Sequence, residues 1–433
     1  METKLARIAE IAKGKPKEKF TALCHHINEE MLQLCHHELA GNKAAGIDKV
    51  TKEEYQANLA ENLKGLVQRL KQWKYQPQPV RRVFIEKGDG KSKRPLGIPA
   101  YEDKLVQLAL AKILQAIYEQ DFLDISYGFR PGRSCHDALK GLAQIIERGK
   151  ISYVVDADIR GFFDHVDHKW MIEFIGHRIS DSNFKRLIVR TLKAGVVESG
   201  KWEPSVEGTP QGGVISPLLA NIYLHYVLDL WFEKEVRKNC PGEARIVRYS
   251  DDFVCCFQYK EEAEKFYRDL AQRLALFGLE MAEEKSKIIA FGRFAEEDCL
   301  KRGMDKPETF DFLGFTHYCS KSRNGKFRVK RKTSRKKLKG KIKAFKAWIR
   351  ASRNIATREL WKTVKSKLIG HYRYYGVTDN YTMLKRLHLI VSKLLFKWLN
   401  RRSQRKSFTL ERFDKFLKFN PLPQPKIYVN IYG

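Results

Sequence analysis

The segment from Arg245 to Phe257 limits most sharply what this chain can become. Two short apolar runs, Ile246-Val247 and Phe253 to Phe257, flank Tyr249-Ser250-Asp251-Asp252, and runs so closely spaced can bury themselves only as the arms of a tight β-hairpin. Ser250-Asp251-Asp252 then stands at the tip. Taken alone, aspartate in a hairpin turn is ordinarily there for its local hydrogen bonds. A second use for this pair must come from the rest of the chain.

Periodicity and punctuation suggest the remaining elements. Residues 1–75 read as mainly helical, with Leu63, Leu66, Leu70 and Trp73 at helical intervals. From 76 to 99 the texture turns Pro-rich and extended: Val80 to Glu86, the turn signal Gly88-Asp89-Gly90 and the non-helical Arg94-Pro95-Leu96-Gly97-Ile98-Pro99 predict a basic β-hairpin. An amphipathic helix is expected over 101–122, a strand from Ile151 to Ile159, and a loop at Gly208-Thr209-Pro210-Gln211-Gly212-Gly213. A long apolar helix should follow from about Ser216 to Val236. A helix over 260–277 and a strand at Ile288-Ile289 complete an alternating pattern, a sheet with helices on one face. Between Pro307 and Pro421 there is no proline. Phe310 to Tyr318 and Lys326 to Val329 flank the turn signal Asn324-Gly325, which predicts a second hairpin, and three helices are expected at 332–350, 356–374 and 380–401. The Pro-rich stretch 420–425 should be extended.

Charge narrows the partners. Lys and Arg number 82 against 51 Asp and Glu, a formal net charge of +31, which calls for a polyanion. No run of roughly 20 apolar residues is present, so nucleic acid is favoured over a membrane. Residues 321–350 concentrate the effect, with 15 Lys or Arg and no acid, interrupted by Phe327, Phe345 and Trp348 at helix or strand spacing. Such a surface should hold phosphates with strong salt dependence and little base readout. Eight cysteines without a Cys-x-x-Cys pair, and an N-terminus without an apolar signal, read as free thiols of a cytosolic protein. Cys24-His25-His26 and Cys35-His36-His37 return to one helical face, where half-buried side chains are expected in preference to a zinc site.

Asp158, at the end of its predicted strand, gives the hairpin acids a partner. Moving a nucleotidyl group onto a 3′-hydroxyl needs two divalent cations about 3.5 to 4 Å apart, held by carboxylates from separate chain segments. The ordered set of blocks is more telling than any one of them. A basic hairpin with Lys87 and Arg94 leads to Asp158-Ile159-Arg160-Gly161-Phe162-Phe163-Asp164, then the Gly208 to Gly213 loop, Tyr249 to Asp252, the lysines Lys285 and Lys287, and Phe312-Leu313-Gly314-Phe315.

In that order these blocks resemble the reverse transcriptase motifs of group II intron-encoded reverse transcriptase/maturases. The likeness runs from Gly46-Ile47-Asp48 to Gly370-His371-Tyr372-Arg373-Tyr374-Tyr375-Gly376. It implies an α/β (α+β) right-hand polymerase: an N-terminal extension over 1–75, fingers and palm over 76–309 with an antiparallel sheet backed by helices, and an all-α thumb/maturase domain over 310–410. A tail over 411–433 follows, and Arg401-Arg402-Ser403-Gln404-Arg405-Lys406 reads as a short DNA-binding remnant. No His- and Cys-rich endonuclease pattern is present, so an endonuclease-lacking member is expected.

The resemblance also implies roles. Asp158, Asp251 and Asp252 would be catalytic and, with Ile159, would hold two Mg²⁺ ions, for which Mn²⁺ can substitute. Lys87, Arg94, Gln211 and Lys285 would contact the incoming dNTP, with Lys285 or Lys287 protonating the departing pyrophosphate. Phe163, with Phe162 as rival, would be the wall against a ribose 2′-hydroxyl. Tyr249, Phe312, Leu313, Gly314, Arg328, Lys330, Arg331, Lys336 and Lys337 would hold primer and template. Expected partners are group II intron RNA, an RNA template, a DNA primer or target and dNTPs, with the protein a homodimer or a monomer in a ribonucleoprotein that meets the nucleoid during integration. Ser250 stands where alanine is the more usual residue. The alternatives are a domesticated relative in repair or antiviral defence, and an RNA-binding splicing factor with a dormant polymerase; the intact acids argue against dormancy.

Overall fold

The computed structural model describes residues 1–86, 93–198, 201–209, 212–301, 303–402 and 407–432. Lys87, Gln211 and four of the residues 401–406 therefore lie outside the described residues. The chain divides into two compact units: residues 1–85, 93–138 and 155–288 form the first, and 86–92, 139–154 and 289–433 the second.

The first unit opens with the helices α1 (Glu2–Gly14), α2 (Glu29–Glu38), α3 (Lys52–Ala57) and α4 (Leu59–Lys71). Local chemistry starts two of them. Asn28 caps α2 by accepting from the Met31 amide, and Thr51 with Glu54 forms a reciprocal capping box on α3. Strands β1 (Val80–Glu86) and β2 (Lys93–Ile98) lead to α5 (Tyr101–Tyr118), which is buried nearly all round and serves as a central strut. α6 (Cys135–Arg148) and β3 (Tyr153–Ala157) straddle the division between the units.

After α7 (His168–Gly176) and α8 (Ser182–Leu192) comes a small hairpin absent from the sequence expectation, β4 (Val196–Glu198) and β5 (Lys201–Glu203). It completes a four-stranded sheet in the order β2-β1-β4-β5, with β1 and β4 parallel. The expected apolar helix is present but not regular. α9 (Ser216–Leu224) widens into two π-helical turns, His225–Asp229 and Phe232–Val236, before α10 (Arg237–Asn239). β6 (Ala244–Tyr249) and β7 (Asp252–Phe257) form the predicted hairpin, paired from Ala244 opposite Phe257 to Tyr249 opposite Asp252. With α11 (Lys260–Leu276) and β8 (Lys287–Ala290) they give a second four-stranded sheet, ordered β6-β7-β3-β8.

In the second unit, α12 (Ala295–Lys301) precedes β9 (Phe310–Phe312), β10 (Phe315–Lys321) and β11 (Phe327–Thr333). The continuous strand expected from Phe310 to Tyr318 is thus broken: Leu313 and Gly314, both at positive φ (50° and 81°), fold β9 back on β10. The helices α13 (Arg335–Ala351), α14 (Thr357–Tyr375) and α15 (Tyr381–Leu399) lie within a few residues of expectation, and α16 (Leu410–Phe419) is additional. Leu338, Phe345, Leu360, Val364, Leu368 and Leu395 build their common core, which also takes in Phe413 and Leu422. Packing therefore runs through position 410, and the extended tail is strapped to the bundle: Tyr428 and Val429 amides donate to the Gly376 carbonyl, and the Tyr432 hydroxyl donates to Asp379.

Candidate nucleotidyl-transfer site

Sheet order brings the acids together. Because β7 lies beside β3, the hairpin tip carrying Asp251 and Asp252 is set next to the strand that ends at Asp158. Asp158 is held on three sides: its amide donates to Ser286 Oγ at 3.1 Å, its carbonyl accepts from the Ala282 amide at 2.8 Å, and its Oδ2 lies 2.7 Å from Lys285 Nζ. Ile159 beside it is buried and bridged to Met281. Burial pushes the Asp251 carboxyl above the usual aspartate range and the Asp158 charge adds to the effect, while the Arg94 guanidinium works against it. Among the described residues no three His, Cys, Asp or Glu side chains enclose an ion as they stand. The donors are hard carboxylate oxygens whose mutual repulsion a hard divalent cation would relieve, so the residues present fit such an ion.

A carboxyl raised in the folded state weighs against folding once it ionises. The loss sets in as pH climbs through the ordinary aspartate value of about 3.9 and onward through the higher folded one. Asp251→Asn, which cannot ionise, should therefore melt above the wild type at pH 7.5 in the absence of divalent cations. The gap should close near pH 4; a gap independent of pH would show that the Asp251 charge is not its cause.

The two phenylalanines have different fates. Both lie in a 3₁₀ turn, Phe162–Asp164, that follows the strand. Phe162 is 2% exposed and packs edge-on against Tyr223 at 6.3 Å. Phe163 is half-buried and, with Gly208, Thr209, Pro95 and Gly97, walls a pocket of about 460 Å³. The Gly-rich loop is pinned to this turn, the Gly208 amide donating to the Val166 carbonyl at 2.8 Å and the Thr209 amide to the Phe163 carbonyl at 2.7 Å. Gly208 sits at φ +84°, and a Cβ there would stand 2.8 Å from the Asp164 carbonyl oxygen, so only glycine allows the approach. Tyr249 is half-buried and Arg94 is exposed.

Sequence reasoning missed what supports the tip. Arg248 is wholly buried and ion-paired with Asp229, also wholly buried, at 2.5 Å. A signal was present: Asp229 is the one acid in the apolar stretch 216–232, and a charge in such a helix must find a countercharge.

In the second unit the Phe312-Leu313-Gly314 segment is a turn held by the Tyr374 hydroxyl, which donates to the Leu313 carbonyl at 3.0 Å. Lys336 and Lys337 are exposed, Lys330 is half-buried, and Arg328 lies 4.2 Å from the Tyr432 ring centroid. Arg331 corrects its assignment to primer and template. It is 0% exposed, its Nη2 donates to the Val329 carbonyl at 2.5 Å, and it faces Tyr432, because β11 alternates and Arg331 falls on the inward side with Val329 and Thr333. A groove of about 470 Å³ is lined from α13 and α14 by the small residues Gly340, Ala344 and Gly370 and by Lys337, Lys341 and Lys367. His371 stacks on Tyr375 at 4.6 Å, and burial pushes its imidazole down to about 4, so it remains neutral. Within the Gly370 to Gly376 segment, Tyr372 is core and Tyr374 is exposed. In the N-terminal Cys/His cluster, His36 engages Gln56 with one ring nitrogen and the Tyr101 hydroxyl with the other. No helix among the described residues is long and apolar enough to cross a membrane.

The hairpin tip with its acids, the strand that leads to Asp158 and the pocket walled by Phe163 give this chain the acid-bearing sheet of a nucleotidyl-transfer candidate. Residues 85–317, more than half of the chain, match the family described as reverse transcriptase (RNA-dependent DNA polymerase), and the chain belongs to that family. It is similar to the group II intron-encoded protein LtrA of Lactococcus lactis subsp. cremoris, 36% identical over 304 residues that cover 68% of this chain and 50% of that protein. Protein YkfC of Escherichia coli (strain K12) is 40% identical over 242 residues, 49% of this chain and 63% of its own length. A putative COX1/OXI3 intron 1 protein of Saccharomyces cerevisiae is 27% identical over 60% of this chain and 37% of its own. The chain thus spans about half the length of LtrA.

Proposed function

We propose that the chain is an RNA-directed DNA polymerase of the group II intron type, which binds intron RNA to assist its splicing and copies it into DNA from a target primer. The observation that carries this reading is the placement of Asp158 beside Asp251-Asp252 by the β3–β7 pairing, inside the span that matches the reverse transcriptase family. The names of LtrA and the yeast intron protein support the intron connection. Asp158, Asp251 and Asp252 would hold Mg²⁺, which when bound supplies activation of the primer 3′-hydroxyl and neutralisation of the triphosphate.

The chain's own residues do the rest. Arg94 would clamp phosphate oxygens; Lys87 and Gln211, outside the described residues, keep only the phosphate and nucleotide roles that the resemblance implies. Lys285, whose Nζ lies 2.7 Å from Asp158, would protonate pyrophosphate. Phe163 is the ribose wall and Phe162 its packing support. In the first unit Tyr249 would be a primer contact; the Phe312-Leu313-Gly314 turn of the second unit would be another, each to be tested by itself. Purified protein with Mg²⁺ and dNTPs should extend a DNA primer on an RNA template; failure on every template would overturn the polymerase reading.

The groove between α13 and α14 suits a duplex backbone, since small residues let it approach and three lysines meet phosphates. Replacing Lys337, Lys341 and Lys367 together by Gln should flatten the dependence of log affinity on log salt by about 0.9 for each phosphate no longer neutralised. Extension at saturating template should be largely kept. An unchanged slope would place the phosphates elsewhere.

A further inference from the structure

Ser250 holds a conformation that a residue with a β-carbon seldom adopts, φ +60°, one position before Asp251. Left-handed backbone of this kind persists only where its surroundings over-determine it. Three groups do so here. Gly128 lies directly against the turn, so that a Cβ on it would come within 2.4 Å of the Ser250 nitrogen. Asn221 Nδ2 donates to the Gly128 carbonyl at 2.7 Å. Arg248 Nη1 donates both to Asn221 Oδ1 at 2.9 Å and to the Ser250 carbonyl at 3.0 Å.

The arginine is itself locked. Its Nε and Nη2 form a fork on Asp229 at 2.7 and 2.5 Å, and its backbone is bonded on both sides to the 125–127 segment, through the Ile125 carbonyl and the Tyr127 amide. Asp229 closes the first π-helical turn. Asn221 and Asp229 are eight residues apart, and in a regular α-helix they would be rotated by about 80° from one another. The wider π turn, with its i→i+5 bonds, takes up that rotation and lets both side chains meet one guanidinium. A buried ion pair is commonly no more stabilising than apolar residues of the same volume, so stability alone gives little reason for this one. Its third nitrogen ends on the turn that carries the acids.

Resting on the polymerase reading, we infer that Arg248, anchored by Asp229 and Asn221, is a positioning residue for nucleotidyl transfer. It clamps the Ser250 carbonyl so that Asp251 is presented beside Asp158, and it sets the rate and the divalent-cation requirement without touching nucleic acid.

The test uses the full chain in three forms: wild type, Arg248→Met with Asp229→Leu, which replaces the ion pair by apolar volume, and the milder Asn221→Ala. Each is measured for melting temperature, primer–template Kd, single-turnover extension rate, Mg²⁺ concentration for half-maximal rate, and the rise in melting temperature on adding Mg²⁺. The double variant should fold and bind primer–template within twofold of wild type, yet extend about 100-fold more slowly. Its half-maximal Mg²⁺ concentration should rise several-fold, and its Mg²⁺-induced thermal shift should shrink. Asn221→Ala should shift the same three readouts in the same direction by smaller factors. A folded double variant with wild-type rate and Mg²⁺ requirement overturns the inference, as does a loss confined to Kd. Should the double variant not fold, an Asn221→Ala protein indistinguishable from wild type overturns it. If wild type itself does not extend primers, the polymerase reading falls, and the Mg²⁺-induced thermal shift still decides whether Arg248 positions the acids.

Discussion

Asp251→Asn is expected to lower primer extension by about 10³-fold or more while leaving affinity for RNA and for primer–template unchanged. The size follows from what a carboxylate at this position does. On the proposed reading the acid would hold a divalent cation that stabilises the negative charge developing as the 3′-hydroxyl is activated and pyrophosphate leaves, an effect of several kcal/mol, and each 1.36 kcal/mol is tenfold in rate. Binding, in contrast, would be dominated by phosphate contacts to Lys and Arg, for which the 321–350 stretch of the second unit, with 15 of them, is the candidate surface. The expected signature is a slower rate at unaltered affinity. Asp158→Asn should behave alike, since on the proposed reading both carboxylates would serve one centre. Measurement is by single-turnover extension alongside filter binding; normal extension by either variant would remove that residue from the centre.

Phe163→Val is expected to lower discrimination between dNTPs and NTPs by about 10- to 200-fold, the range that one steric contact commands. Phe163 is half-buried in the wall of a pocket, where shortening it opens space a 2′-hydroxyl would enter. Phe162→Val should do something else. That ring is 2% exposed and packs on Tyr223, so the loss is one of stability, on the order of 1 to 3 kcal/mol, with discrimination intact. Competing dNTP and NTP incorporation, with a thermal melt of each variant, separates the two. Ribonucleotide use gained at Phe162 and not at Phe163 would reverse the assignment.

Much of this protein was legible in one dimension. The hairpin from Arg245 to Phe257, the extended segment before α5 and the three helices after β11 follow from periodicity, proline placement and turn residues, which act over a few neighbouring positions. The same local rules failed at Leu313-Gly314, where backbone of positive φ turned an expected strand into two. They gave no sign of β4 and β5, each three residues long and dependent on β1 for pairing.

What the sequence determined by itself was the inventory: acids on two β segments, a glycine loop, two phenylalanines, a cationic C-terminal third and membership of the reverse transcriptase family. Tertiary structure alone decided which of these act together. It set β7 beside β3 so that Asp158 and Asp251 feel each other's charge, turned Phe162 into the core and Phe163 toward a pocket, and drew Arg331 inward where its place in a cationic run had suggested an outward one. It also set Arg248 on Asp229 and the Ser250 carbonyl. The physical reason is common to all four. A side chain's charge, exposure and partners depend on groups far away in the chain, and burial in a medium of low polarity makes those distant groups outweigh its sequence neighbours.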